Sequence, residues 1–162
     1  MEPLDILSRI IQDLERANIP YERYDHGFVH RSEDAAKVRG TSLSEAAKAL
    51  VLRSEKGLLM AVIAGPKRIE YRKIKDHIKC KKLSLAEVDA VKQATGLTIG
   101  SIPPFGHYWG MDVYVEKGIL EHEHVVFSAG SHYTSIRMKT ADYLRIVPHH
   151  VLAFGSPQET TT

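Results

Sequence analysis

The chain is short of several things, and each shortage removes a class of function. Cys80 is the single cysteine among 162 residues, so no intramolecular disulfide can form. A reducing, cytoplasmic setting is the expectation that follows. No apolar run approaches the ~18 residues that a membrane-spanning helix needs, so no membrane role is expected. The opening Met1-Glu2-Pro3-Leu4-Asp5 is acidic and lacks a long apolar core, which argues against a signal peptide. Charge of one sign is scarce too: 22 Lys and Arg stand against 20 Asp and Glu, a net +2 with a pI near 8.6. That balance is too mild to indicate nucleic-acid binding by itself. Internal repeats, low-complexity stretches and interdomain linkers are all missing.

What is present describes one ordinary domain. Hydrophobic residues make up 43% and charged residues 26%, a globular composition on a chain long enough to bury a core without staples. The expected layout is a single domain over 1–154, opening with an N-terminal helix inside 1–19, and a flexible polar tail at 155–162. Leu4, Leu7, Ile10, Ile11 and Leu14 recur at the helical period, so 4–17 reads as an amphipathic helix ended by Asn18-Ile19-Pro20. Tyr21 to His26 alternates as a short strand. Ser32 to Gly40 carries a Ser cap, acids in its first turn and a closing Gly, the marks of a compact helix. Ser42 to Ala47 reads as a further helical turn capped by Ser44. Ala49 to Arg53 and Leu58 to Ala64 form a hairpin around Glu55-Lys56-Gly57.

Glu70 to Ile78 is a basic helix, Lys82 to Leu85 a short strand, and Ala86 to Thr95 a helix closed by Gly96. After a loop over Gly100 to Gly110, strands are expected at Met111–Glu116, His124–Ser128 and Thr134–Met138. A last helix, capped by Thr140, runs to Val147. Short strands interleaved with short helices indicate a mixed α+β domain, with strand order left open.

Three short segments carry the chemistry. Lys48 opens the apolar strand Ala49-Leu50-Val51-Leu52. An ammonium anchored there suits a phosphate, although a surface lysine snorkelling off a sheet edge would look the same. Gly100-Ser101-Ile102-Pro103-Pro104-Phe105-Gly106 is a stiff loop whose glycine permits close approach. Amides held outward there could stabilise an oxyanion, or the loop could be a structural turn. Ser128-Ala129-Gly130 joins two strands with small residues that leave room for a ligand or make a tight turn. His132 follows, either as a water- or substrate-orienting group or as an exposed loop histidine.

In this order and spacing the segments resemble the YbaK and prolyl-tRNA synthetase insertion (INS) editing family, which hydrolyses mischarged aminoacyl-tRNA. The likeness runs over roughly residues 20 to 147. It implies an α+β fold with a curved, mostly antiparallel sheet approaching a barrel and helices outside. It also implies a freestanding trans-editing deacylase acting on the 3′ acceptor end of a mischarged tRNA. In that reading Lys48, matching the family's lysine, grips the terminal nucleotide. Gly100, Ser101 and Gly130 complete the catalytic set, with loop amides holding the acyl carbonyl. Ile102, Pro103, Pro104, Phe105, Gly106, Ser128, Ala129 and His132 line the substrate.

No metal or organic cofactor is implied, and neither DNA nor a membrane is a partner. Proline tRNA is the suggested carrier, and an aminoacyl-tRNA synthetase is a further candidate partner. Relatives that clear alanine tend to carry Lys-Asn where this chain has Lys48-Ala49, which argues against alanine. Phe127-Ser128-Ala129-Gly130 looks closer to the YbaK branch. The amino acid removed stays open.

Other chemistries find weaker footing. Cys80 sits among Lys79, Lys81 and Lys82, whose charge could lower a thiol pKa, but no motif supports a nucleophile. The serines lack a G-x-S-x-G elbow. His122 with His124, and His149 with His150, match no metal-protease spacing. A different class of function remains in view: a non-catalytic module that binds an aminoacyl-nucleotide or an RNA 3′ end. There the cations between Lys67 and Lys82 would be a phosphate footprint rather than a solvated helix face.

Overall fold

Residues 5–26 and 45–157 are described by a computed structural model. Helix α1 (Ile6–Arg16) begins where the Asp5 carboxylate accepts the Ser8 amide at 2.7 Å. That bond holds the Asp5 carboxyl below its ordinary range. The helix stops at Asn18, whose φ of 56° is left-handed. Ile10 and Leu14 are fully buried while Ile6, Leu7 and Ile11 pack beside them, so α1 is part of the core of this domain. Strand β1 (Tyr21–Asp25) follows Pro20.

The long hairpin forms where two apolar runs flank a turn. Strands β2 (Ala47–Ser54) and β3 (Gly57–Ala64) pair antiparallel from Ala47 opposite Ala64 to Ser54 opposite Gly57. The side-chain period of two sends Ala47, Ala49 and Val51 into one core and Leu50 and Leu52 into another. Beyond β3 come β4 (Lys67–Ile69), α2 (Tyr71–Ile78), β5 (Leu83–Leu85) and α3 (Val88–Thr95). The apolar seam of α2, the buried Ile74 with the half-buried Tyr71 and Ile78, covers the second core. Gly96, in the left-handed region, closes α3.

A short 3-10 turn (Gly106–Trp109) then leads into β6 (Asp112–Glu116). A second 3-10 turn (Lys117–Glu121), β7 (His124–Ser128), β8 (Thr134–Lys139), α4 (Thr140–Ile146), β9 (His150–Leu152) and β10 (Gly155–Pro157) complete the chain.

The strands assemble as a five-stranded sheet of order β5-β2-β3-β6-β9, a three-stranded sheet β1-β8-β7 and a β10-β4 pair. Antiparallel pairings predominate, as expected, but β3-β6 and β6-β9 are parallel. The parallel β3-β6 pair arises because the connection from β3 to β6 crosses over through α2 and α3. Among the described residues no barrel closes. The two large sheets meet, among the described residues, at a parallel bridge, Ala46 to Val126.

Several local expectations change. The helix expected over Ser32–Gly40 lies outside the described residues, as does most of the turn expected over Ser42–Ala47. Thr140 does not cap α4: Lys139 holds that position, and the Thr140 hydroxyl donates to the His122 carbonyl at 2.6 Å. Residues 155–157, expected to start a frayed tail, pair with β4 instead. The cause is Phe154, fully buried in the second core, which draws the chain back onto the sheet.

Candidate functional site

Lys48 shares its strand face with Leu50 and Leu52, and its ammonium donates to the Gly65 carbonyl at 3.2 Å. The Ala46–Val126 bridge is parallel, so β2 and β7 leave it in the same direction. Lys48 and Ser128 each lie two residues further on. Because side chains alternate, both stand on the same face as Ala46 and Val126.

The antiparallel register extends that face. Ser135 lies opposite Ser128, Arg137 opposite Val126, and Tyr24 opposite Ser135. The His26 ring nitrogen Nε2 is 2.9 Å from the Ser135 hydroxyl. Arg137 is held by Glu45 at 3.3 Å and Glu22 at 3.4 Å, and the Glu45 hydrogen bond raises its pKa. The result is a polar sheet face that gathers an ammonium, the half-buried Ser128 hydroxyl, the buried Ser135 hydroxyl and the imidazole bonded to it, backed by an anchored guanidinium. His26, Ser135, Arg137 and Glu45 were not read from the sequence as site residues. For Ser135 and Arg137 the signal was available in β8, where these polar residues alternate in sequence with the apolar Ile136 and Met138, although Ser135 is itself buried.

The Gly100–Gly106 loop and the Ser128–His132 turn are tied together. The Gly130 amide donates to the Ser101 carbonyl at 2.9 Å. Thr98 Oγ1 lies 3.0 Å from His132 Nε2, so His132, itself buried, acts as a strut between the loops. Ser101 is also buried, and its hydroxyl donates to the Thr98 carbonyl at 2.7 Å. Gly130 has a φ of +95°, and a side chain there would meet Ile6 of α1, which explains the glycine.

Ile102, Pro103, Pro104, Phe105 and Gly106 are all buried. Phe105, expected to wall a pocket, instead sits in the core among Tyr108, Phe127 and Tyr143. Ala129 belongs to that core as well. Tyr143 donates to the Pro104 carbonyl at 2.6 Å and fixes the far side of the loop.

Two amides of this loop, those of Gly100 and Ile102, donate to no acceptor among the described residues, whereas Ser101 and Phe105 donate to Thr98 and Pro103. Gly100 is exposed. Chemically, the region offers a cation for a phosphate, uncommitted amides for a developing negative charge, and hydroxyl and imidazole groups for a polar substrate. Among the described residues no three His, Cys, Asp or Glu side chains converge as a metal-binding group.

A lysine and small-residue turns on one sheet face, beside a Gly/Pro loop, define a class of protein. The model of the aminoacyl-tRNA editing domain family matches residues 26–146, and the chain belongs to that family. Among its relatives is the multifunctional Ser/Thr-tRNA deacylase ProXp-y of Escherichia coli, 30% identical over 151 residues and matched over 90% of both chains. The prolyl-tRNA editing protein ProX of Acetoanaerobium sticklandii is 29% identical over 105 residues, 64% of each chain. The fold agrees. A crystal structure described as a candidate trans-editing enzyme for prolyl tRNA synthetase superposes with a TM-score of 0.81 at 21% identity, covering 96% of this chain and 99% of that one.

Proposed function

We propose that this chain is a freestanding deacylase that hydrolyses the ester of a mischarged tRNA, and that seryl and threonyl esters are its substrates. The observation that carries the proposal is the shared face of Lys48, Ser128 and Ser135, with His26 bonded to Ser135. In this reading Lys48 binds the phosphate of the 3′-terminal nucleotide. The Gly100 and Ile102 amides receive the carbonyl oxygen as it becomes tetrahedral. Water attacks the acyl carbon, the ester C–O bond breaks, and the ribose hydroxyl leaves with a proton. Ser101 and Gly130 act through their mutual backbone bond, which sets the shape of the loop. His132 holds the same loop from its other side.

A face carrying hydroxyls and an imidazole favours a side chain with a hydroxyl of its own. Such a site discriminates strongly against analogues that leave its polar groups unpaired. The name of the E. coli relative supports the same substrates, and its match over nearly the whole length of both chains supports a freestanding enzyme. The prolyl-tRNA relatives support proline tRNA as one carrier.

The test is a panel of tRNAs charged with Ser, Thr, Ala, Cys and Pro. Selective loss of Ser and Thr is the expected result. Loss of Ala or Cys alone would refute the substrate assignment, and no loss above the buffer rate would refute the deacylase.

A further inference from the structure

The cations between Lys67 and Lys82 are unevenly committed. Eight of them against Glu70 and Asp76 give this stretch +6 in a chain of +2 overall, which leaves the rest of the molecule at −4. Lys67 is paired with Glu116 at 3.0 Å and Lys73 with Glu70 at 3.0 Å. Among the described residues, Arg72, Lys75, Lys79, Lys81 and Lys82 enter no ion pair. All but the half-buried Lys75 are exposed.

Their placement is directional. Arg72 and Lys75 stand at i and i+3 on α2, beside its seam of Tyr71, Ile74 and Ile78, and Lys79 follows at the left-handed residue that closes the helix, so the three form one ridge along α2 and its C-terminal cap. The near end of α2 is reached from Gly65, whose carbonyl holds Lys48, through the three-residue strand β4. The far end lies against the β2–β3 turn. There the Lys56 ammonium donates to the Ile78 carbonyl at 2.8 Å, and the Glu55 carboxylate accepts the Lys81 and Lys82 amides. Glu55 thereby fixes the loop that carries the last two cations. From Lys48 to Glu55 is seven residues of extended chain, ~23 Å at ~3.3 Å each. At ~1.5 Å per residue the eight-residue helix covers ~12 Å, so the ridge spans about half of the hairpin and ends at the β2–β3 turn, the end of the hairpin away from Lys48.

We propose that this ridge is the docking surface for the phosphate backbone of the RNA stem that continues from the 3′ end held at Lys48. The inference rests on the tRNA reading above. Phosphate contacts of this kind position a duplex without reading its sequence. Each neutralised phosphate steepens the log–log salt dependence of binding by about 0.9.

The experiment measures binding of uncharged tRNA and of the trinucleotide CCA across a salt series, with wild type and with Arg72→Gln/Lys75→Gln/Lys79→Gln. The triple variant should bind tRNA at least tenfold more weakly at low salt, with a slope shallower by about 2.7, and bind CCA as wild type does. Arg72→Lys/Lys75→Arg/Lys79→Arg should keep the wild-type slope. Asp76→Asn should tighten tRNA binding, a gain that misfolding cannot produce. Wild-type slope in the Gln variant would overturn the proposal, and so would an equal loss for CCA. Uncharged tRNA is not turned over, so absence of deacylation in the panel above would sink the enzymatic reading without touching this result.

Discussion

Replacing Tyr143 by Phe removes one oxygen atom from the centre of the molecule. Tyr143 is wholly buried, and its hydroxyl donates to the Pro104 carbonyl at 2.6 Å. Burial raises the phenol pKa, so the group stays a protonated donor. The Phe ring keeps the contacts with Phe105 and Phe127, whose ring centres lie 5.9 and 6.5 Å away. What is lost is the donor to a buried carbonyl, and leaving such a group unsatisfied costs about 1–3 kcal/mol. At ~2–4 °C per kcal/mol for a chain of this size, the expected fall in Tm is about 4–8 °C around a central ~2 kcal/mol. Calorimetry or denaturant unfolding reads this directly.

A second consequence concerns the loop. Pro104 lies two residues beyond Ile102, whose amide is proposed to receive the oxyanion. Small misplacements of catalytic groups cost up to ~10²-fold in rate, so kcat should fall while KM changes little. A Tm within about 1 °C of wild type would refute the reasoning, because it would mean that the bond is not needed to satisfy the carbonyl.

Other perturbations test neighbouring parts of the structure. In Gly106→Ala the new Cβ would lie 2.7 Å from Val113 Cγ2 and 3.3 Å from Met60, both buried. Overpacking of this kind costs ~1–3 kcal/mol, and combining it with Val113→Ala should cost less than the two changes summed. Lys67→Ala strips the cation from Glu116, which is 4% exposed at its side chain and also accepts the Gly118 amide. The buried carboxylate then stands uncompensated, at a cost of ~3–5 kcal/mol for a fully buried pair. Lys67 is 31% exposed, so urea unfolding should show the lower end of that range or less. His107 has its pKa lowered by burial and by Arg9 against the opposing Asp13, and its Nδ1 is buried without a partner among the described residues. The unfolded chain therefore takes up this proton more readily. Stability is fully present above about pH 6.5 and is lost as pH falls toward the folded-state value. His107→Phe should flatten the acid side of a Tm-against-pH curve, and an unchanged curve would refute the assignment.

Much of the fold was legible in the sequence because its elements carry strong local signals. The period of α1, the Gly96 stop of α3 and the β2–β3 turn are set by apolar spacing and by residues that change the backbone path. Strands β4, β9 and β10 were not legible. They are three residues each, too short for alternation to register, and they form only because distant partners meet them. Thr140 looked like a helix cap by type, but the His122 carbonyl competes for its hydroxyl across a tertiary contact.

The site divides in the same way. Lys48 and the two small-residue loops stand out as motifs. That Lys48 shares a face with Ser128 depends on the Ala46–Val126 bridge, which joins residues eighty positions apart. No spacing within either segment encodes it. His26 and Ser135 entered the site through the same sheet register, and the burial of Phe105 followed from packing against Phe127 and Tyr143.

The most direct measurement is single-turnover hydrolysis of seryl-tRNA by wild type and Lys48→Ala at saturating enzyme, with Tm recorded for both. If Lys48 holds the 3′-terminal phosphate in register with the loop amides, the variant should hydrolyse roughly a hundredfold more slowly with an unchanged Tm. Wild-type rates in a folded Lys48→Ala protein would contradict the shared-face site and move the chemistry elsewhere in the fold.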